Sequence, residues 1–238
     1  DSDFVNVPTK KMIDSGYLKR RAKKINIRRA GGRRRAGEPS IPGAQRLSPH
    51  EGYEGLSTTH LSVIDANGNA VSMTSSVENA FGSRQMASGF ILNNQLTDFS
   101  FRPTQNGHEI ANRVTAGKRP RSSMSPTLVF NEDGSLMMAV GSPGGSRIIG
   151  YVAKTLVGVI DWGLSIQEAI DLPNFLSRNR GLEIEKNSRL EAFRPGMEAL
   201  GHKVKTLKLH SGLQGIRVTP RGLEGGADKR REGIALGD

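Results

Sequence analysis

The stretch TTHLSVIDANGNAVSMTSS, residues 58–76, decides how this chain folds. Its arms LSVID and AVSMTSSV are β-rich and partly alternate apolar with polar residues. They flank ANGN, where Asn67 and Gly68 tolerate the positive φ that a tight turn needs. That pattern predicts a β-hairpin. Thr58, Thr59 and His60 stand at its root. Taken locally they are strand formers beside a polar strand end, and no chemistry follows from them alone.

Working outward, TLVF and SLMMAVG around NEDG predict a second hairpin over residues 127–141. The following GSPGGSRIIGYVAKTLVGVIDWG turns helical. Ile148, Ile149, Val152, Leu156, Val159 and Ile160 recur at three- and four-residue steps, an apolar stripe expected to pack on a sheet. Ser165 and Glu168 have capping-box spacing and open a helix, SIQEAIDL, that Pro173 stops. Beyond lie a strand LEIE, a helix over about Arg189–Leu200, strands HKVKTLKL and GIRVT, and a tail, LEGGADKRREGIALGD, expected to be irregular. Upstream, a short helix is expected around Ser15–Lys24, and residues 31–57 read as linker. Strands and helices arrive in blocks, so the expected class is α+β, antiparallel sheets layered with helices.

The 238 residues suffice for a substantial core, and 35% hydrophobic with 24% charged residues is an ordinary soluble composition. No run approaches the roughly 18 apolar residues of a membrane span, so no membrane partner is expected. The opening DSDFVNVPTK lacks the positive start and apolar core of a signal peptide, and the expectation is that the chain is a fragment. Zero Cys removes disulfides, thiolate zinc sites and Cys nucleophiles together. The net charge of +11 is uneven. Residues 1–57 hold 13 basic and 6 acidic side chains, while the remaining 181 residues hold 21 and 17. The excess sits in residues 18–46, which read as a solvated connector or as a polyanion-binding patch. No aromatic residues are interleaved there for stacking on bases, so nucleic acid is not the expected partner.

The five histidines, His50, His60, His108, His202 and His210, never fall at metal-ligand spacing, and no metal is implied. GSPGGSR lacks the lysine of a phosphate loop. Gly144 and Gly145 nevertheless enter a helix after a strand, where backbone amides can hold an oxyanion, or where glycine is needed only for its dihedrals. In KRPRSSMSPT, residues 118–127, Ser122 and Ser123 are either a carboxylate site or turn formers. In ILNNQLTDFS, residues 91–100, Gln95 and Asp98 can receive an ammonium group or cap a turn.

Taken in order, TTHLSVIDANGNAVSMTSS, FGS, GFILNNQLTDFS, KRPRSSMSPT and GSPGGSRII resemble the small, catalytic subunit of γ-glutamyltranspeptidases, members of the N-terminal nucleophile hydrolases. The resemblance covers residues 58–238, and residues 1–57 resemble the tail of the family's large subunit. It implies a four-layer αββα fold, partial here because large-subunit elements are absent. It also implies a precursor that cuts itself between Ser57 and Thr58, leaving Thr58 as an N-terminal nucleophile with its own α-amine as base. The two pieces would remain a heterodimer acting on glutathione and other γ-glutamyl compounds by hydrolysis or transfer, without metal or organic cofactor. By position, Ser76 would hydrogen-bond the catalytic amine, Gly144 and Gly145 would form the oxyanion hole, Ser122 and Ser123 would bind the α-carboxylate, and Gln95, Asp98 and Glu78 would hold the α-ammonium. Thr59 and His60 would be supports, His60 not the base. Glu78 departs from the family's Asn, and the segment between Asp98 and Ser122 has no Tyr, implying a more open site. The arginine that reaches the α-carboxylate belongs to the large subunit in this family. The resemblance places the protein in the periplasm or outside the cell. Two rivals stand beside this reading: an acylase of glutaryl-type cephalosporin side chains on the same scaffold, and an inactive fragment that binds polyanions through residues 18–46.

Overall fold

The fold is described from a computed structural model covering residues 1–34, 37 and 57–237. Two short helices, α1 (Thr9–Met12) and α2 (Ser15–Ala22), precede the hairpin of β1 (Ser57–Ile64) and β2 (Ala70–Glu78). The two-residue strands β3 (Met86–Ala87), β4 (Phe90–Ile91), β5 (Thr104–Gln105) and β6 (His108–Glu109) form small ribbons. Then come β7 (Thr127–Phe130), β8 (Leu136–Gly141), α3 (Ile148–Ile160), α4 (Ile166–Asp171), β9 (Phe175–Ser177) and β10 (Leu182–Glu185). The chain ends in α5 (Arg194–Ala199), β11 (Val204–Leu207), β12 (Gln214–Thr219) and β13 (Gly222–Ala227). Among the described residues no helix is long and apolar enough to cross a membrane. Most of the basic segment 18–46 beyond Arg34, and the linker expected over 31–57, lie outside the described residues.

Three layers organise the body. The central layer is an antiparallel sheet in the order β13-β12-β8-β7. Helices α3 and α4 cover one face, where Met138, Val140, Ile148, Tyr151, Val152, Val159, Ile166 and Ile170 are buried together. Fully burying one such side chain contributes about 1.5–3 kcal/mol. The β1–β2 hairpin covers the other face. Strand alternation assigns the sides: Met138 and Val140 join the helical core, while Gly141 faces the hairpin.

Alternation along β1 sends Thr58, His60, Ser62 and Ile64 inward and leaves Thr59, Leu61 and Val63 exposed. The inner face is polar, and its groups pair across the layers. The Ser72 hydroxyl donates to the Val140 carbonyl (3.1 Å) and accepts from the Thr127 amide (3.1 Å). The outer face is apolar and, among the described residues, uncovered, with Leu61, Val63, Val71 and Met73 all exposed. A smaller sheet, β11-β10-β9, contains the parallel pair β10–β11.

The β1–β2 turn spans residues 65–69. The Asp65 carboxylate accepts from the amides of Asn67 (2.9 Å) and Asn69 (2.8 Å), and only Gly68 takes a positive φ, not Asn67. The Ser165–Glu168 capping box forms as expected. The α3 stripe differs. Ile149 and Ile160 are exposed, and Tyr151, Lys154 and Thr155 are buried in their place. This helix is apolar nearly all round, so spacing alone does not select its face. The helix expected over 189–200 is split into a 3-10 turn, Arg189–Phe193, and α5. Pro195 has no amide to offer the Glu191 carbonyl, so the α ladder restarts there. The tail expected to be irregular contains β13, and β9 was not anticipated.

Close approach of the stacked sheets depends on Gly141. A Cβ there would lie 2.2 Å from the His60 ring. Gly141→Ala is expected to destabilise the protein by about 2 kcal/mol and lower Tm by about 4–8 °C in thermal unfolding. An unchanged Tm would mean that the hairpin does not stack on β8.

Candidate active site

The hairpin root is irregular where the chemistry is expected. Ser57 pairs with Glu78 but Thr58 pairs with Ser76, so Val77 is an extra residue and the register shifts between Ser57 and Thr58. The bulge turns Glu78 into the left-handed region at φ 70°, uncommon for a non-glycine residue. It also brings the Ser76 hydroxyl against the backbone of β1. The buried Thr58 hydroxyl donates to Ser76 Oγ (3.0 Å), and the Ser76 hydroxyl donates to the Ser57 carbonyl (3.1 Å). Ser76 Oγ further accepts from the Glu78 amide at 2.9 Å. One hydroxyl thus links Thr58 to the carbonyl of the peptide bond that precedes it.

Thr58, Ser76, Glu78, Gln95, Asp98, Ser122, Ser123 and Gly145 line one cleft. These residues come from β1, β2, the 3-10 turn Gln95–Asp98, the segment before β7 and the turn after β8. Arg121, Met124, Ser146 and Ile148 line it too; none was expected at the site, Ile148 having been expected only in the apolar stripe of the helix. Gly144 does not line the cleft but adjoins Gly145, and both take positive φ, 136° and 59°. A Cβ on Gly144 would meet the Tyr151 ring at 2.6 Å, so sterics as well as dihedrals require glycine. Among the described residues neither glycine amide has a hydrogen-bond partner.

The acidic wall is internally bonded. The Gln95 side-chain amide donates to Asp98 Oδ2 and to Glu78 Oε2, the latter at 3.3 Å. Burial pushes the Asp98 carboxyl above its ordinary range, while the positive charge of Arg121 and the Gln95 hydrogen bond pull it back. In the segment before β7 the Ser122 hydroxyl accepts from the Met124 amide (3.1 Å). The loop before this pair is braced by Arg119, whose guanidinium binds Asp1 (2.9 Å) and Asp3 (2.8 Å). Thr59 is exposed on the outer face of the hairpin. His60 is buried between the sheets, with Nδ1 2.8 Å from the Thr74 hydroxyl and Nε2 3.2 Å from that of Ser62. Among the described residues no cluster of His, Cys, Asp or Glu is arranged to hold a metal.

All of residues 1–238 match the sequence profile of the family described as gamma-glutamyltranspeptidase. The chain belongs to the γ-glutamyltranspeptidase family. A glutathione hydrolase proenzyme of Escherichia coli is 40% identical over 243 residues, covering 97% of this chain and 40% of that protein. The acylase ACY 1 proenzyme of a Pseudomonas species is 31% identical over 240 residues, covering 99% of this chain and 39% of that protein. A solved mutant of Helicobacter pylori γ-glutamyltranspeptidase superposes with a TM-score of 0.65 at 35% identity, covering 73% of this chain and 100% of that one. The chain thus spans about two fifths of the length of these two proenzymes. Its fold is that of the N-terminal nucleophile hydrolases, with three of the four αββα layers present among the described residues.

Burial holds the His60 imidazole neutral, its pKa down to about 4. In the unfolded chain the ring takes up a proton near pH 6.5, but the folded protein refuses it until about pH 4. Stability is therefore lost as pH falls through that window. Between pH 6.5 and 5 the wild type should lose about 1.6 kcal/mol more than His60→Gln in urea titrations. Parallel pH dependences in the two proteins would contradict a buried neutral His60.

Proposed function

We propose that residues 58–238 are the catalytic subunit of a γ-glutamyl hydrolase or transferase, and residues 1–57 the tail of its large subunit, both released from one precursor by cleavage between Ser57 and Thr58. The observation that carries this reading is the chain of hydrogen bonds from the Thr58 hydroxyl through Ser76 to the Ser57 carbonyl. It supports a direct route to cleavage. Thr58 Oγ1 attacks the Ser57 carbonyl carbon, its proton passes to Ser76, and the Ser76 proton moves to the carbonyl oxygen. As the C–N bond breaks, the intermediate's hydroxyl gives up its proton to the nitrogen and the C=O bond re-forms, leaving an ester that water hydrolyses. The products are a Ser57 carboxylate and a free Thr58 α-amine.

With that amine as base, the Thr58 hydroxyl attacks the γ-carbonyl of a donor. An α-amine with a pKa near 8 suits this role at neutral pH. The oxyanion falls to the amides of Gly144 and Gly145, which have no hydrogen-bond partner among the described residues, worth about two to three powers of ten in rate by analogy with other oxyanion donors. The amine returns its proton to the leaving group. Water or an amino acid or peptide amine then takes the acyl group from Thr58. Asp98, Gln95 and Glu78 would hold the donor's α-ammonium, with Ser122 and Ser123 on its α-carboxylate. The exposed apolar face of the hairpin fits a large subunit that covers it in the complete heterodimer, with glutathione-like compounds as substrates.

Glutaryl side chains lack the α-ammonium and leave the acidic wall without a partner, which disfavours the acylase alternative. In the complete precursor, intact-mass time courses should yield a fragment beginning at Thr58 from the wild type and none from Thr58→Ala. Ser76→Ala should slow cleavage by about tenfold or more, the worth of one hydrogen bond to a developing charge. A folded wild-type precursor that stays whole would defeat the reading. Once it is cleaved, γ-glutamyl anilide should be turned over at least about tenfold faster than glutaryl anilide.

A further inference from the structure

Arg121 is the one charged residue lining the cleft that the proposed chemistry leaves unused. Along the chain it adjoins Ser122 and Ser123, and through space its positive charge acts on Asp98. Asn112 fixes this placement from the side. Its Nδ2 donates to the Asp98 carbonyl (2.6 Å) and its Oδ1 accepts from the Arg121 amide (2.9 Å), so one side chain joins the acidic segment to the serine segment. These bonds involve only the backbones of Asp98 and Arg121. They fix where the Arg121 backbone enters the cleft lining.

Electrostatics gives it a task. A carboxylate entering this cleft sheds water and meets two carboxylates, Glu78 and Asp98, in its lining. Hydroxyls of Ser122 and Ser123 are neutral donors and offset neither that repulsion nor the lost hydration in full. A guanidinium carries a full charge and several directed donors, the chemistry that best accepts a planar carboxylate. We propose that Arg121 is a specificity-determining residue, whose guanidinium meets the donor's α-carboxylate beside Ser122 and Ser123 and selects donors in which that carboxylate is free. The assignment rests on the γ-glutamyl reading. It adds a cation from this chain to the arginine expected from the large subunit, so its removal weakens the selection without abolishing it.

The test uses the complete, cleaved enzyme and two donors, γ-glutamyl p-nitroanilide and the same compound with its α-carboxylate converted to the amide. The readout is the ratio of their kcat/KM values. In Arg121→Leu and Arg121→Gln the preference for the free carboxylate should fall by about tenfold, the worth of a charge-assisted hydrogen bond. Arg121→Lys, which keeps the charge and loses the fork, should fall between wild type and the neutral variants. A merely structural role lowers both donors together and leaves the ratio unchanged, which overturns the assignment while the wild-type activity keeps the γ-glutamyl reading standing. A wild-type enzyme that turns over neither donor overturns both. Gln retains polarity and length, so the comparison survives if the Leu variant fails to fold.

Discussion

One hydroxyl, that of Ser76, sets the geometry on which the proposed chemistry depends. It accepts from Thr58 and from the Glu78 amide and donates to the Ser57 carbonyl, which fully commits its single proton. This arrangement exists because the hairpin is bulged at Val77. In an unbroken ladder Ser57 would pair with Val77, and Glu78 would have no need of the left-handed backbone. The conformational cost at Glu78, of order 1 kcal/mol or more, is met by the rest of the hairpin, whose register stays regular from Thr58 to Ile64.

The hairpin in turn depends on how tightly two sheets stack. Gly141 gives the His60 ring its space, and Ser72 stitches β2 to both β7 and β8. Burial keeps the ring neutral, and both its nitrogens are engaged by Thr74 and Ser62. A histidine so occupied cannot exchange protons with Thr58, although it lies only two residues away. On the far side of the central sheet, Arg230 bridges Glu185 and Asp228, and buried Lys154 donates to the carbonyls of Ile170 and Leu172. This ionic cluster, in which burial lowers the Lys154 pKa to about 8, ties the segment after β13 to the end of α4. The next residue, Arg231, reaches the Thr58 carbonyl at 3.5 Å.

What could be read from the sequence were features with local causes. The hairpins, the Ser165 capping box and the glycine pair before α3 each follow from neighbours a few residues apart, and the structure has them where expected. Most of the residues assigned to the site by motif do meet in one cleft, Gly144 standing just behind it. What could not be read depends on distant contacts. β13 is hidden because LEGGA looks like a loop, yet Gly225 and Gly226 are small so that Ala235 and Ile170 can approach. The buried face of α3 is chosen by the sheet beneath it. Arg121 looked like one more charge in a basic run, and only the fold reveals that it lines the same cleft as Asp98. The bulge at Val77 leaves no sequence signal beyond an ordinary Val-Glu pair.

Strand alternation binds the cleft to the exposed surface more closely than either suggests alone. In β1 the inward residues Thr58, His60 and Ser62 face the central sheet, with Thr58 lining the cleft, and the outward residues Leu61 and Val63 are the exposed back of the strand. A shift by one residue would exchange the two sets, sending Thr58 to the outside and Leu61 toward the His60 slot. Among the described residues this hairpin is a two-stranded sheet, and isolated two-stranded sheets are marginal in water. On the proposed reading, the large subunit that covers Leu61, Val63, Val71 and Met73 adds apolar burial to one register only, the one that presents Thr58 to Ser76. Assembly and cleavage competence then share a physical origin, because the contact that buries the back of the strand also holds its front in the geometry that cuts.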